Sequence, residues 1–172
     1  MKKFLLGTTT VFVLLSALYY LGPEVDHGKL NAELPPVSDN PLLLEKKVND
    51  REATNPLVKP DNEARIIWAD SSKQKTPYSI VYLHGFGASQ GEGEPIHRLL
   101  AERFGCNLYL SRLKEQGIQS DSAFKSMTAE NLLASAKEAV AIGESLGDSV
   151  IVIGTSTGGA LGLYITANNP EI

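Results

Sequence analysis

The sequence has a single cysteine, Cys106, among its 172 residues, so an internal disulfide and a cysteine-based zinc site are both excluded. That scarcity leaves the compartment open, because a chain without disulfides suits either side of a membrane. Dense basic charge is also missing: 16 Lys and Arg stand against 20 Asp and Glu, a formal net charge of -4. A nucleic acid backbone would find no electrostatic footprint here, and nucleic acid is excluded as a partner on that ground. No internal repeat or low-complexity tract is present. With 42% hydrophobic and 21% charged residues the composition is globular, neither disordered nor polytopic. At this length one core with an appendage is the most the chain can build.

Charge is absent from the N-terminal run as well. Lys2 and Lys3 precede FLLGTTTVFVLLSALYYLGP, and the first acid is Glu24. The stretch from Phe4 to Gly22 spans roughly 28 Å at about 1.5 Å per residue, close to the roughly 30 Å hydrocarbon core of a bilayer. It ends in Leu18, Tyr19, Tyr20 and Leu21 rather than in the small residues of a cleavage site, which favours an uncleaved signal anchor over a cleavable signal. Thr8, Thr9 and Thr10 supply no polar face of the kind a surface helix shows. The expectation is a transmembrane helix over 1–23. Lys2 and Lys3 would hold its N-terminus in the cytoplasm, Tyr19 and Tyr20 would sit at the far interface, and the rest would be periplasmic or extracellular.

Six of the nine prolines (Pro23, Pro35, Pro36, Pro41, Pro56, Pro60) fall in the next stretch, and 24–62 reads as a Pro-rich stalk in which His27 is solvated. Within it, LLLEKKVNDRE (42–52) has the makings of a short helix.

Regular patterning begins after Asp61. ARIIWAD (64–70) and YSIVYL (78–83) read as strands. Pro95 suits the first turn of a helix with an apolar stripe of Ile96, Leu99, Leu100 and Phe104, stopped by Gly105; His97 falls off that stripe and reads as a surface residue. NLYLSRL (107–113) returns to strand character, with Cys106 a small buried residue at its start. Thr128 is placed to cap a helix bearing Ala129, Leu132, Leu133, Ala136 and Val140 on one face and ending at Gly147. SVIVIG (149–154) reads as a strand covered on both faces, and a third helix runs from near Gly158 toward Asn168. This alternation predicts, for 63–172, an α/β domain with a mostly parallel sheet and helices on both faces.

Chemistry gathers at two glycine-rich turns. Gly154-Thr155-Ser156-Thr157-Gly158, followed by Gly159, is a G-x-S-x-G between the last strand and the last helix. The chain must reverse there so sharply that Ser156 is strained and its hydroxyl stands above the sheet, with glycines two positions either side to avoid collision. The Thr157 amide, at the helix N-terminus, faces the space where an oxyanion would develop. A bare G-x-S-x-G arises by chance in about 6% of chains this long, so its context has to carry the reading. A second turn, His84-Gly85-Phe86-Gly87, follows the strand ending at Leu83, 72 residues before Ser156. Such a loop can bring the Phe86 amide to the same space as a second donor. A phosphate-loop reading fails: Gly91 comes one residue too late for G-x-G-x-x-G after Gly85 and Gly87, and G-x-x-x-x-G-K-[ST] is absent.

These two motifs and the elements between them resemble the α/β-hydrolase superfamily, specifically serine esterases, lysophospholipases and monoacylglycerol lipases, over about 64–172. The resemblance implies Ser156 as nucleophile, the Phe86 and Thr157 amides as oxyanion donors, and His84 as a residue shaping the loop rather than the base. It implies a small-molecule or lipid ester as substrate and no metal or organic cofactor. In that family an acid and then a histidine follow the nucleophile, yet the sixteen residues after Ser156 hold one acid, Glu171, and no histidine. The expectation is therefore the N-terminal part of a longer hydrolase, with the last strand left as an apolar edge. Without its base such a site loses about a million-fold in rate and keeps at most ~10³ to ~10⁴ over water. The competing expectations are a catalytically inactive, membrane-tethered binding module and a split enzyme whose other half is a separate chain.

Overall fold

The computed structural model of the chain describes residues 2–22 and 30–171, without the side chains of 2–6. His27 and the side chains of Lys2 and Lys3 lie outside the described residues. Four strands, β1 (Arg65–Ile67), β2 (Thr76–Leu83), β3 (Asn107–Leu110) and β4 (Gly147–Gly154), form one sheet in the order β1-β3-β2-β4. Ile80 and Tyr82 of β2 point to one face and Val81 and Leu83 to the other, and all four are buried, which is why the strand reads as a continuous apolar run. On the first face lies α3 (Ile96–Phe104). On the second lie α2 (Pro41–Ala53), α4 (Ala129–Leu146) and α5 (Thr157–Asn168).

Two parts of the expected architecture are corrected. The sheet is mixed rather than mostly parallel: β2 runs parallel to β3 and β4, but β1 is antiparallel to β3. Only residues 68–75 separate β1 from β2, too few for the crossover of about a dozen residues that a parallel return requires. The transmembrane helix is also corrected. Among the described residues no helix is long and apolar enough to cross a membrane, so a single-pass anchor is not supported, and the expected extracytoplasmic placement of the domain falls with it. In the first helix, α1 (Lys2–Leu21), Thr8, Thr9 and Thr10 dilute the apolar run.

Local chemistry accounts for the other helices. Asn40 caps α2 by accepting from the amides of Leu42 and Leu43, with Pro41 in the first turn. Although α2 lies within the stretch read as a stalk, its Leu44 and Val48 are in the core and its Glu52 is buried. Thr128 and Asn131 form a reciprocal capping box at the start of α4, whose Leu132, Leu133, Ala136 and Val140 are buried while Ala129 is exposed. The C-cap of α3 is Gly105, at φ 62°.

The expected inward face of α3 is overturned. His97 and Ala101 are buried, whereas Ile96, Leu99 and Phe104 are exposed. His97 faces inward because its Nε2 pairs with the Gln90 carbonyl at 2.8 Å and its ring meets that of Tyr82 edge-on at 4.8 Å. Apolar spacing alone carries no trace of such partners.

Candidate functional site

The register of β2 and β4 brings the two turns together. Leu83 lies opposite Gly154 in parallel pairing, so 84–87 and 155–158 leave the carboxyl ends of adjacent strands at the same level. From there the chain departs to opposite faces, β2 toward α3 and β4 toward α5. That divergence makes the end of the β2–β4 pair a topological switch point, the place at which α/β sheets commonly bind ligands.

Ser156 is exposed at the N-cap of α5 with φ 49° and ψ -114°. A non-glycine residue in that region stores about 1–3 kcal/mol of strain. Backbone crowding enforces the turn. A Cβ on Gly158 would lie 2.0 Å from the Leu83 carbonyl oxygen, and one on Gly154 would lie 2.6 Å from the Gly159 nitrogen. Gly159 is half-buried beside Gly154, and the Thr155 amide donates to the Leu83 carbonyl at 3.0 Å, tying the elbow to β2. Thr157, half-buried, opens α5, where its amide has no intrahelical acceptor.

The facing loop is held by side chains. Buried His84 accepts from the Leu113 amide at Nε2 (3.0 Å), which places its proton on Nδ1 for donation to the Gly85 carbonyl (2.9 Å). Burial, only partly opposed by that carbonyl and by Glu92, pushes its pKa below the usual histidine value. With both ring nitrogens engaged, His84 is no base for Ser156. Gly85 is buried and donates its amide to Glu92 Oε2 (2.7 Å), while Gly87, at φ 72°, donates to Gln116 Oε1 (2.8 Å). Phe86 is 57% exposed, and its ring stacks on Phe124 at 5.1 Å. Tyr82 joins the two halves: its hydroxyl donates to Glu92 Oε2 (3.3 Å) and lies 3.0 Å from Thr155 Oγ1.

Behind the loop, Arg112 Nη1 donates to the Gln116 carbonyl at 3.3 Å, while Nε and Nη2 engage Glu52 of α2 at 2.6 and 3.2 Å. Glu52 also accepts from the Ala64 amide, so its buried carboxylate is fully partnered. Sequence patterns could not single out Glu92, Gln116, Arg112, Glu52 or Phe124, since none belongs to a local motif and their partners are distant along the chain.

Among the described residues no histidine bonds to Ser156, and no cluster of three His, Cys, Asp or Glu side chains is placed to hold a metal ion. The two turns put the exposed Ser156 hydroxyl and the Phe86 and Thr157 amides at the same end of adjacent strands. The chain matches no family model and no curated protein.

Proposed function

We propose that Ser156 is the nucleophile of an acyl-transfer site for carboxylic esters, with the Phe86 and Thr157 amides as its oxyanion donors. The observation that carries the reading is the backbone of Ser156 at φ 49°, sustained by two close glycine approaches at the end of the parallel β2–β4 pair. Strain of this kind persists only where the surroundings over-determine it, and it gathers at functional turns. In the reaction Ser156 Oγ attacks the ester carbonyl, the alcohol leaves, and water then releases the acid from the acyl-serine. The stacked, exposed rings of Phe86 and Phe124 beside the donor loop favour an ester with an apolar group. With no histidine bonded to Ser156 among the described residues, these residues account for nucleophile presentation and oxyanion stabilisation, worth at most ~10³ to ~10⁴ over water.

A serine-directed phosphonate probe tests the assignment. The expected result is a single covalent adduct that disappears in Ser156→Ala. A chain that acquires no adduct would overturn the nucleophile assignment.

A further inference from the structure

Three consecutive amides line the loop after β2, and their partners differ in a telling way. Gly85 N–H is taken by Glu92 and Gly87 N–H by Gln116, while the Phe86 amide between them donates to no group among the described residues. The carbonyl on the same peptide plane as that amide, Gly85 O, accepts from His84 Nδ1 at 2.9 Å and from the Ala88 amide at 3.2 Å. In a trans peptide the C=O and N–H point in opposite directions. Drawing the Gly85 carbonyl inward therefore turns the Phe86 N–H away from the loop's own acceptors.

We infer that Glu92 and Gln116 are positioning residues: by occupying the amides on either side, they hold the Phe86 peptide plane so that its N–H is free to meet an oxyanion. The role rests on the serine-nucleophile reading above. Glu92 reaches the loop from a short 3₁₀ turn (Gln90–Gly93), and Gln116 from the segment between β3 and α4. The clamp is therefore assembled only when three separate stretches of chain are in place. Through Tyr82 and Thr155, Glu92 is connected to the elbow as well. Glu92 contributes as a hydrogen-bond acceptor, since a negative charge near an oxyanion opposes its formation.

The test exposes the wild-type chain, Glu92→Ala, Glu92→Gln, Gln116→Met and Ser156→Ala to an alkyl fluorophosphonate. In labelling, Ser156 Oγ bonds to phosphorus, fluoride leaves and the serine proton passes to water. Intact mass against time gives the maximal labelling rate and the half-saturating probe concentration, and amide hydrogen exchange is followed at 85–88. Deleting an oxyanion donor outright costs about 10²- to 10³-fold, so loosening one is expected to cost about tenfold. Glu92→Ala and Gln116→Met should show that loss in maximal rate with the half-saturating concentration unchanged and with faster exchange at Gly85 and Gly87, respectively. Glu92→Gln keeps an acceptor oxygen and should label at the wild-type rate or above, a rescue that a charge-based role would not permit. Glu92 is exposed, so Glu92→Ala carries the test should buried Gln116→Met fail to fold. Faster exchange with undiminished labelling would overturn the inference. A wild-type chain that gains no Ser156-dependent adduct would overturn the nucleophile reading and this role together, and is distinguished by the absence of label in every variant.

Discussion

The elbow at 154–158 and the loop at 84–87 leave neighbouring strands side by side, yet backbone crowding shapes the first and side-chain hydrogen bonds shape the second. In the elbow the decisive neighbours are main-chain atoms of β2 and α5, which no substitution elsewhere can move aside. In the loop they are Glu92, Gln116 and His84, each replaceable singly. The difference implies that damage to the elbow, or to what both halves stand on, is global, while damage to the loop is graded.

The largest effect is expected at the support beneath the loop. Arg112→Met removes the two-nitrogen partner of the buried Glu52 carboxylate and leaves it only the Arg51 Nε contact and the Ala64 amide; breaking such a buried pair costs about 3–5 kcal/mol, read as a shift in the urea unfolding midpoint. Gly158→Ala comes next. Its Cβ would meet the Leu83 carbonyl at 2.0 Å, and forcing β2 and α5 apart should cost about 3 kcal/mol, with loss of Ser156 labelling. A stability loss as small as that of a surface substitution would show that the elbow is not shaped by crowding.

Much of the elbow was legible because its constraints are local. Gly154, Ser156 and Gly158 sit at the spacing a strand-to-helix reversal demands, and the Thr128 cap and Gly105 stop are equally short-range. The loop's position was legible from the strand before it, but not what holds it. Glu92 and Gln116 meet Gly85 and Gly87 across gaps of 7 and 29 residues, with no periodicity to mark them. The same limit hid the inward turn of His97, which depends on Gln90 and Tyr82, and the antiparallel course of β1, which follows from the length of a connection rather than from strand composition. α2 was legible as a short helix, but its place against the sheet rests on partners far along the chain, among them Arg112, 60 residues beyond Glu52.

A smaller and pH-dependent effect should separate loop from elbow. His84 is held neutral with its pKa lowered by burial, so the unfolded chain binds a proton more readily than the folded one. Its contribution is fully present above the unfolded value of about 6.5 and is lost as pH falls toward the lowered folded value. The unfolding midpoint should therefore drop between about pH 7.5 and 5.5, and the drop should shrink in His84→Gln. An undiminished drop would remove His84 from the account. The smallest effect is expected at the link between the two halves: Thr155→Val loses the contact with the Tyr82 hydroxyl and should cost about 1 kcal/mol by thermal unfolding, with little change in amide exchange at Gly87.

The most direct measurement is a crystal structure of the chain after reaction with an alkyl fluorophosphonate. The expected structure has phosphorus bonded to Ser156 Oγ and a phosphonyl oxygen about 3 Å from both the Phe86 and Thr157 nitrogens. An unmodified Ser156, or an adduct whose oxygen meets neither amide, would contradict it.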